Sequence, residues 1–568
     1  MDLCEFLLIN DDNQFDEIKP LLEDSIQFSS SPKNHAVVSN YSSNCDIYAP
    51  EINWYLKNSK ASPEIKAQNI KRMYYSRMAR YEYGTDRDFS TPTPPTLLII
   101  GENEEAKDFL KFVQKYKKTS YEAGLIPPKD ILSISGSLGE FQAKFMIAGE
   151  VKQVCFGQGV IFYEDKDLVR FMGIEKANDY KNPQALLEKL DSRVGTYHYK
   201  TTITYQTQSC QYHHRRPDKN QEGYCHKCVN VCPTFGATKD DSLMELNFSQ
   251  LDCIGCGGCV AVCPSGAIDY APFSMEAFDT ALKHYHQTQI LLIAEPFLED
   301  LEDFEIPEHI SPLIINREKF LSEAHILALL QESGASCVYY SQIISRPSSE
   351  AITLINDIYQ KIYQKKGFYV AKNIKELRTH LKSLQPIQSY SYTPSPDEHR
   401  RKHFSERLRF AIKDNDYGKV SSGISGELIR YGQIHINQET CTLCMSCVGA
   451  CNVGSLSGDG ANFSLLFNAS VCTTCGYCLD SCPEDAISLE LSGISLNPTW
   501  FENKIMAQDK IFTCVECGKG FATQKSIEKI KSIMNPLFKN DPLKLKTLEC
   551  CPDCKVKIMF ANHFEKVV

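Results

Sequence analysis

Short, wholly apolar runs separated by amphipathic stretches mark two parts of the chain. TLLII (96–100) reads as a buried strand, a polar helix follows over 104–117, and strand-like segments recur near 131–135 and 153–162. Farther on, ILLIA (290–294), PLIIN (312–316), CVYYS (337–341) and FYVAK (368–372) read as strands, with helices predicted at about 322–332, 350–364 and 375–384. Each alternation predicts a small α/β domain, over 91–205 and 276–390. Before the first lies a region, 1–90, with a helix-like stretch around 63–83 and no assignable role. The run STPTPP (90–95) reads as a stiff linker, and polar residues 391–430 as a connector with a helical middle.

What remains is cysteine-dense. Of 25 cysteines, Cys4, Cys45, Cys155 and Cys337 are scattered and read as small buried residues, while the other 21 lie in groups after residue 209. The N-terminus has no basic segment before an apolar stretch, so no signal peptide is expected, and no run of about 18 apolar residues predicts a membrane span. A cytoplasmic location follows as the expectation, and clustered cysteines in a long chain there point to metal ligands rather than disulfides. The net charge of −10 argues against nucleic-acid binding, as does the lack of basic stretches interleaved with aromatics.

Two modules, 206–275 and 431–492, repeat one another: 20 residues separate Cys232 from Cys253, and 20 separate Cys451 from Cys472. CTLCMSCVGAC supplies Cys441, Cys444, Cys447 and Cys451; CTTCGYCLDSCP supplies Cys472, Cys475, Cys478 and Cys482. In the first module CIGCGGCVAVCP supplies Cys253, Cys256, Cys259 and Cys263, but CHKCVNVCP supplies only Cys225, Cys228 and Cys232. Its missing first cysteine would fall at Glu222, and the nearest earlier one is Cys210, before QYHHRRPDKNQEGY. Zinc knuckles pair CxxC units and do not use four cysteines at this spacing.

The modules resemble bacterial-type two-cluster 4Fe-4S ferredoxins, in which three cysteines of one run and the last of the other hold each cluster. The resemblance implies one cluster on Cys441, Cys444, Cys447 and Cys482, and a second on Cys472, Cys475, Cys478 and Cys451. Asn452 stands where the family has proline. In the first module it implies a cluster on Cys253, Cys256, Cys259 and Cys232, and another on Cys225, Cys228, Cys263 and a fourth ligand. Cys210 is the favoured fourth ligand, because twelve more loop residues cost only about 1–2 kcal/mol in closure entropy. His213, His214 or Glu222 as ligand, or a three-iron cluster, are the competing readings. His213–Arg216 reads as an exposed polar loop or as a basic patch that raises a potential or docks an acidic partner.

The tail, 505–568, carries Cys514, Cys517, Cys551 and Cys554 in two knuckles that resemble a zinc ribbon, with Cys550 spare and mononuclear iron as the alternative metal. The arrangement as a whole loosely resembles the flavin-binding subunit of heterodisulfide reductase and the hydrogenase delta subunit, through PLIINREKFLSEAHILALLQESGASCVYYSQ (312–342). Only Cys337 lies there, too few for that family's 2Fe-2S cluster, and its flavin signature is degraded at 96–106, where Asn103, Glu104 and Glu105 stand.

The expected fold class is therefore α/β and α+β multidomain: two dicluster modules, two small α/β domains and a zinc-ribbon-like tail. The expected function is electron transfer through three to four 4Fe-4S clusters, as a subunit or partner of an anaerobic-type oxidoreductase of the formate dehydrogenase or hydrogenase class. No catalytic residue is evident, so an electron carrier is favoured over a stand-alone enzyme. The alternatives are a flavin- or nucleotide-dependent oxidoreductase using 96–200, and a non-redox accessory or assembly factor.

Overall fold

The computed structural model describes residues 5–7, 16–22, 26, 37–40, 47–395, 398–422, 427–539 and 541–565. Its centre is a four-stranded parallel sheet in the order Ile310–Ile315, Gln289–Ala294, Cys337–Tyr340, Phe368–Ala371. These strands are almost wholly apolar because both faces are covered. Ile290, Leu292 and Ala294 join one core with the helix Glu323–Ser333, while Leu291 and Ile293 join another with the helix Pro63–Tyr83. The N-terminal region thus acquires a structural role as a cover for the sheet. Arg77 of its long helix holds Glu51 through two 2.7 Å hydrogen bonds, both side chains buried.

The first α/β domain has a parallel sheet in the order Ile174–Lys176, Gln158–Ile161, Thr96–Ile100, Glu122–Ile126. An antiparallel three-stranded sheet, Ile131–Ser135, Phe141–Ile147 and Glu150–Phe156, packs beside it. Asn103 caps the helix Glu104–Gln114 by accepting the Ala106 N–H at 3.0 Å, so the turn after the first strand is an ordinary capped βα turn.

Expectations for the linker and for Cys155 are corrected, and the connector's helical middle is found. STPTPP is not a linker: its first four residues complete the strand Asp88–Thr93, paired antiparallel with Gly195–Lys200, and proline is tolerated in such a two-stranded edge ribbon. The connector's expected helical middle is the helix Arg400–Ile412, but its Arg400, Arg401 and Arg407 are buried. Arg400 donates to the carbonyls of Val260, Cys263 (3.2 Å) and Ile268 (3.0 Å), and Arg407 to Asp279 at 3.2 Å. Its polar sequence thus reflects internal bonding, not solvation. Of the scattered cysteines, Cys337 is buried, but Cys155 is exposed, on the outward face of its strand; Cys4 and Cys45 lie outside the described residues.

Both modules are bracketed alike: Ile203–Tyr205 pairs antiparallel with Ile268–Tyr270, and Gln433–Ile436 with Ile487–Glu490. Each also carries an inner hairpin, Thr238–Asp240 with Glu245–Asn247 and Leu456–Asp459 with Ser464–Phe467. Among the described residues, no helix is long and apolar enough to cross a membrane.

Candidate functional site

Three cysteine loops share one backbone habit. Two and four residues after the leading cysteine the chain turns left-handed: Gly255 and Gly257, Leu443 and Met445, Thr474 and Gly476. Alternating handedness turns successive N–H groups inward, the geometry of an anion-binding nest. Holding this in leucine, methionine and threonine costs about 1–2 kcal/mol per residue, which a loop without purpose would shed. Gly257 (φ +80°) is also sterically required, since a Cβ there would stand 2.4 Å from that of Phe320.

In each loop the N–H two residues on bonds the leading sulfur: Gly255 to Cys253, Leu443 to Cys441, and Thr474 to Cys472 at 3.4 Å. Cys210 repeats the pattern, with the Tyr212 N–H on its sulfur at 3.4 Å. Short helices follow at Lys227–Val231, Gly258–Val262, Ser446–Ala450 and Tyr477–Asp480, each carrying cysteines inward.

The sulfurs meet across the sequence in crossed sets. Cys451, Cys472, Cys475 and Cys478 line one cavity, walled by Ile434, Val453, Leu456, Phe467 and Leu489. Cys441, Cys444, Cys447 and Cys482 line a second, among Ile436, Leu465, Ala486 and Ile487. Cys210, Cys225, Cys228 and Cys263 line a third, beside Leu246, Ala267 and Ile268. His213, His214 and Glu222 are absent from that lining. Cys232, Cys253, Cys256 and Cys259 form the fourth group: burial holds the Cys259 thiol well above its ordinary range, and Cys253, Cys256 and Cys232 add to it.

Burial likewise pushes Cys225, Cys447 and Cys472 up to about 12. Four clustered thiolates in an apolar wall would repel one another unsolvated, so these thiols give up their protons only to a cation that binds them all. The donor sets therefore fit iron–sulfur clusters, with four sulfurs per cavity.

Two family models match, each described as a 4Fe-4S dicluster domain, over residues 223–268 and 433–483. The chain contains two 4Fe-4S dicluster domains. No curated protein matches the chain. The first match begins after Cys210, so that cysteine joins its module only through the fold.

The dicluster domains touch through the stretch between Cys210 and Tyr224. Gln211 lines the inner cavities of both domains and donates to Thr473 Oγ1. Tyr224 donates to Asp480 at 2.5 Å, its ring 4.9 Å from that of Tyr477. Arg215 also lies over the Tyr477 ring, 4.5 Å from its centroid. Asn452 donates to the carbonyls of Gln208 (3.1 Å) and Cys210 (3.0 Å). The departure from proline is thus a joint between the domains; apart from that substitution and the basic run His213–Arg216, no sequence signal pointed to these residues.

His213 and His214 lie close to Glu245, with His214 Nε2 3.8 Å from the carboxylate, on the rim of the first domain. In the tail, the sulfurs of Cys514, Cys517, Cys551 and Cys554 lie within 4.8 Å of one another. Burial raises the Cys514 thiol, but the backbone N–H groups of Cys551, Cys517 and Glu516 outweigh it and draw it down to about 6. Cys550 instead donates to the Lys546 carbonyl at 3.3 Å.

Proposed function

We propose that the chain is an electron-transfer protein that holds four 4Fe-4S clusters in series. The observation that carries this is the crossed lining of three cavities by four cysteines each, within the dicluster domains. The proposed ligand sets are Cys253, Cys256, Cys259 and Cys232; Cys210, Cys225, Cys228 and Cys263; Cys472, Cys475, Cys478 and Cys451; and Cys441, Cys444, Cys447 and Cys482. Each cluster supplies one-electron chemistry at a potential set by charge, hydrogen bonding and exposure.

The chain's own residues hold the clusters, exclude water with apolar walls and offer N–H groups to sulfur. Gln211 links the two inner sites into one line. At one end the first α/β domain closes the series: Met172 N–H bonds Asp252 at 2.9 Å and Phe171 packs on Phe235 at 4.5 Å. At the other end Cys444 is exposed, a natural port for a redox partner. The tail takes zinc as a structural ion on Cys514, Cys517, Cys551 and Cys554, a set of four thiolates that suits it. We assign the partner to an anaerobic-type oxidoreductase of the formate dehydrogenase or hydrogenase class, because four clusters in one chain serve a larger complex better than a shuttle.

Anaerobic purification with metal and sulfide quantitation tests the reading. About sixteen iron and one zinc per chain, with magnetically coupled EPR signals after reduction, are expected. Iron near eight or below, with extra zinc, would leave the first domain without its clusters and end the four-cluster reading.

A further inference from the structure

The contact between the dicluster domains is positively charged inside. Arg215 is buried, its Nη1 has no hydrogen-bond partner, and its guanidinium lies over Tyr477, the residue just before Cys478. Lys227 lines the cavity of Cys210, Cys225, Cys228 and Cys263, with its ammonium donating to the Leu428 carbonyl at 2.5 Å. Arg401, buried with Nε and Nη1 unpartnered, stacks on Tyr431 at 3.8 Å and donates to the Arg430 carbonyl. Among the described residues, none of the three has a carboxylate within 4.0 Å. The acids nearby are engaged elsewhere, Asp480 by Tyr224 and buried Glu323 by the Tyr431 hydroxyl at 3.0 Å.

Buried cations without counter-ions are costly unless negative charge is delivered beside them. A cluster gains one negative charge on reduction, and in a low-dielectric surrounding a nearby fixed cation stabilises that state strongly. By contrast, the acid lining the outer cavity of the second domain, Glu484, is already neutralised by Lys529.

We propose that the junction between the dicluster domains is where this chain stores electrons: Arg215, Lys227 and Arg401 raise the potentials of the two inner clusters above those of the outer two. The inference rests on the four-cluster reading above. The transfer it governs is a one-electron exchange in which one inner site loses what the other gains, with no bond made and no proton moved. Electrons enter and leave through one-electron redox proteins outside the chain. The excursion between Cys210 and Tyr224 thus brings a charge to the neighbouring domain as well as closing its own.

The test is an anaerobic EPR redox titration of the full-length, cluster-loaded chain, compared with Arg215→Gln, Lys227→Gln and, as an exposed neighbour, Arg216→Gln. In the wild type two coupled clusters should reduce first. Arg215→Gln and Lys227→Gln should each lower one of those two midpoints, by at least tenfold in the one-electron equilibrium, about 59 mV. Arg216→Gln, whose charge is screened by solvent, should move neither. Unmoved midpoints in both buried-charge variants would overturn the proposal. So would iron loss in both, which would make the two cations structural. Wild-type iron below four clusters would instead overturn the reading beneath it.

Discussion

Replacing Cys210 with alanine removes one of four sulfurs from the first domain's inner cavity and leaves the other three loops intact. Iron should fall by about one to four atoms per chain, depending on whether a three-iron cluster survives. His213→Ala, His214→Ala and Glu222→Ala should keep the full complement, because none of them lines that cavity. Iron retained in Cys210→Ala and lost in a histidine variant would reverse the assignment. Asp279 offers a second test. Burial raises its carboxyl from 3.8 to about 7, against the pull of Arg407. A carboxyl with a raised folded pKa binds its proton more tightly when folded, so its contribution falls as pH rises from about 4 through about 7. Wild type should therefore gain stability over Asp279→Asn as pH is lowered from about 7.5 to about 5, a widening of a few degrees in the Tm gap. A gap that stays constant over that range would show that Asp279 titrates normally.

At the level of elements, the Arg400–Ile412 helix locks onto the first dicluster domain through three carbonyls of Val260, Cys263 and Ile268. Arg400→Met leaves those acceptors unpaired and should cost on the order of 3–5 kcal/mol, read as a lowered thermal midpoint with cluster iron retained at low temperature. A midpoint within one degree or so of wild type would contradict it. The tail helix Gln524–Met534 begins over the second domain: Thr523 and Ser526 both donate to the Thr442 carbonyl, at 3.1 and 2.7 Å, next to Cys441. Removing the tail metal with a chelator should loosen this cover and speed oxidative bleaching of the outer cluster; equal bleaching rates with and without chelator would separate tail from cluster. The cysteine loops were legible beforehand because ligand spacing is set by the short reach of a side chain to iron, and Gly476 and Gly257 mark turns only they enter easily. The helix in the connector was expected, but its burial was not legible, since a polar pattern looks the same whether its partners are water or carbonyls from residues some 130 positions away.

Across the molecule, one continuous core runs from the Met275–Lys283 helix through the central sheet to Phe404, Tyr431 and Trp500. The parallel strands could be read from their apolar runs, which follow from two covered faces. Which elements do the covering depends on contacts between distant segments, such as Ile70 and Met73 against Leu291, and no local pattern encodes those. The shared core predicts one cooperative unfolding event for the central sheet and both dicluster domains, with a single calorimetric peak. Two resolved peaks assigned to the two dicluster domains would contradict it. Gln211 and its partner Thr473 stand 262 positions apart. At about 5–20 residues per second, a ribosome needs roughly 13–52 s to reach the second after making the first. Early in that interval the growing polypeptide completes the first domain's inner site, from Cys210 to Cys263 and its wall at Ala267 and Ile268, while the neighbouring domain is still unmade. Metal can therefore reach this inner site before the junction between the two domains exists.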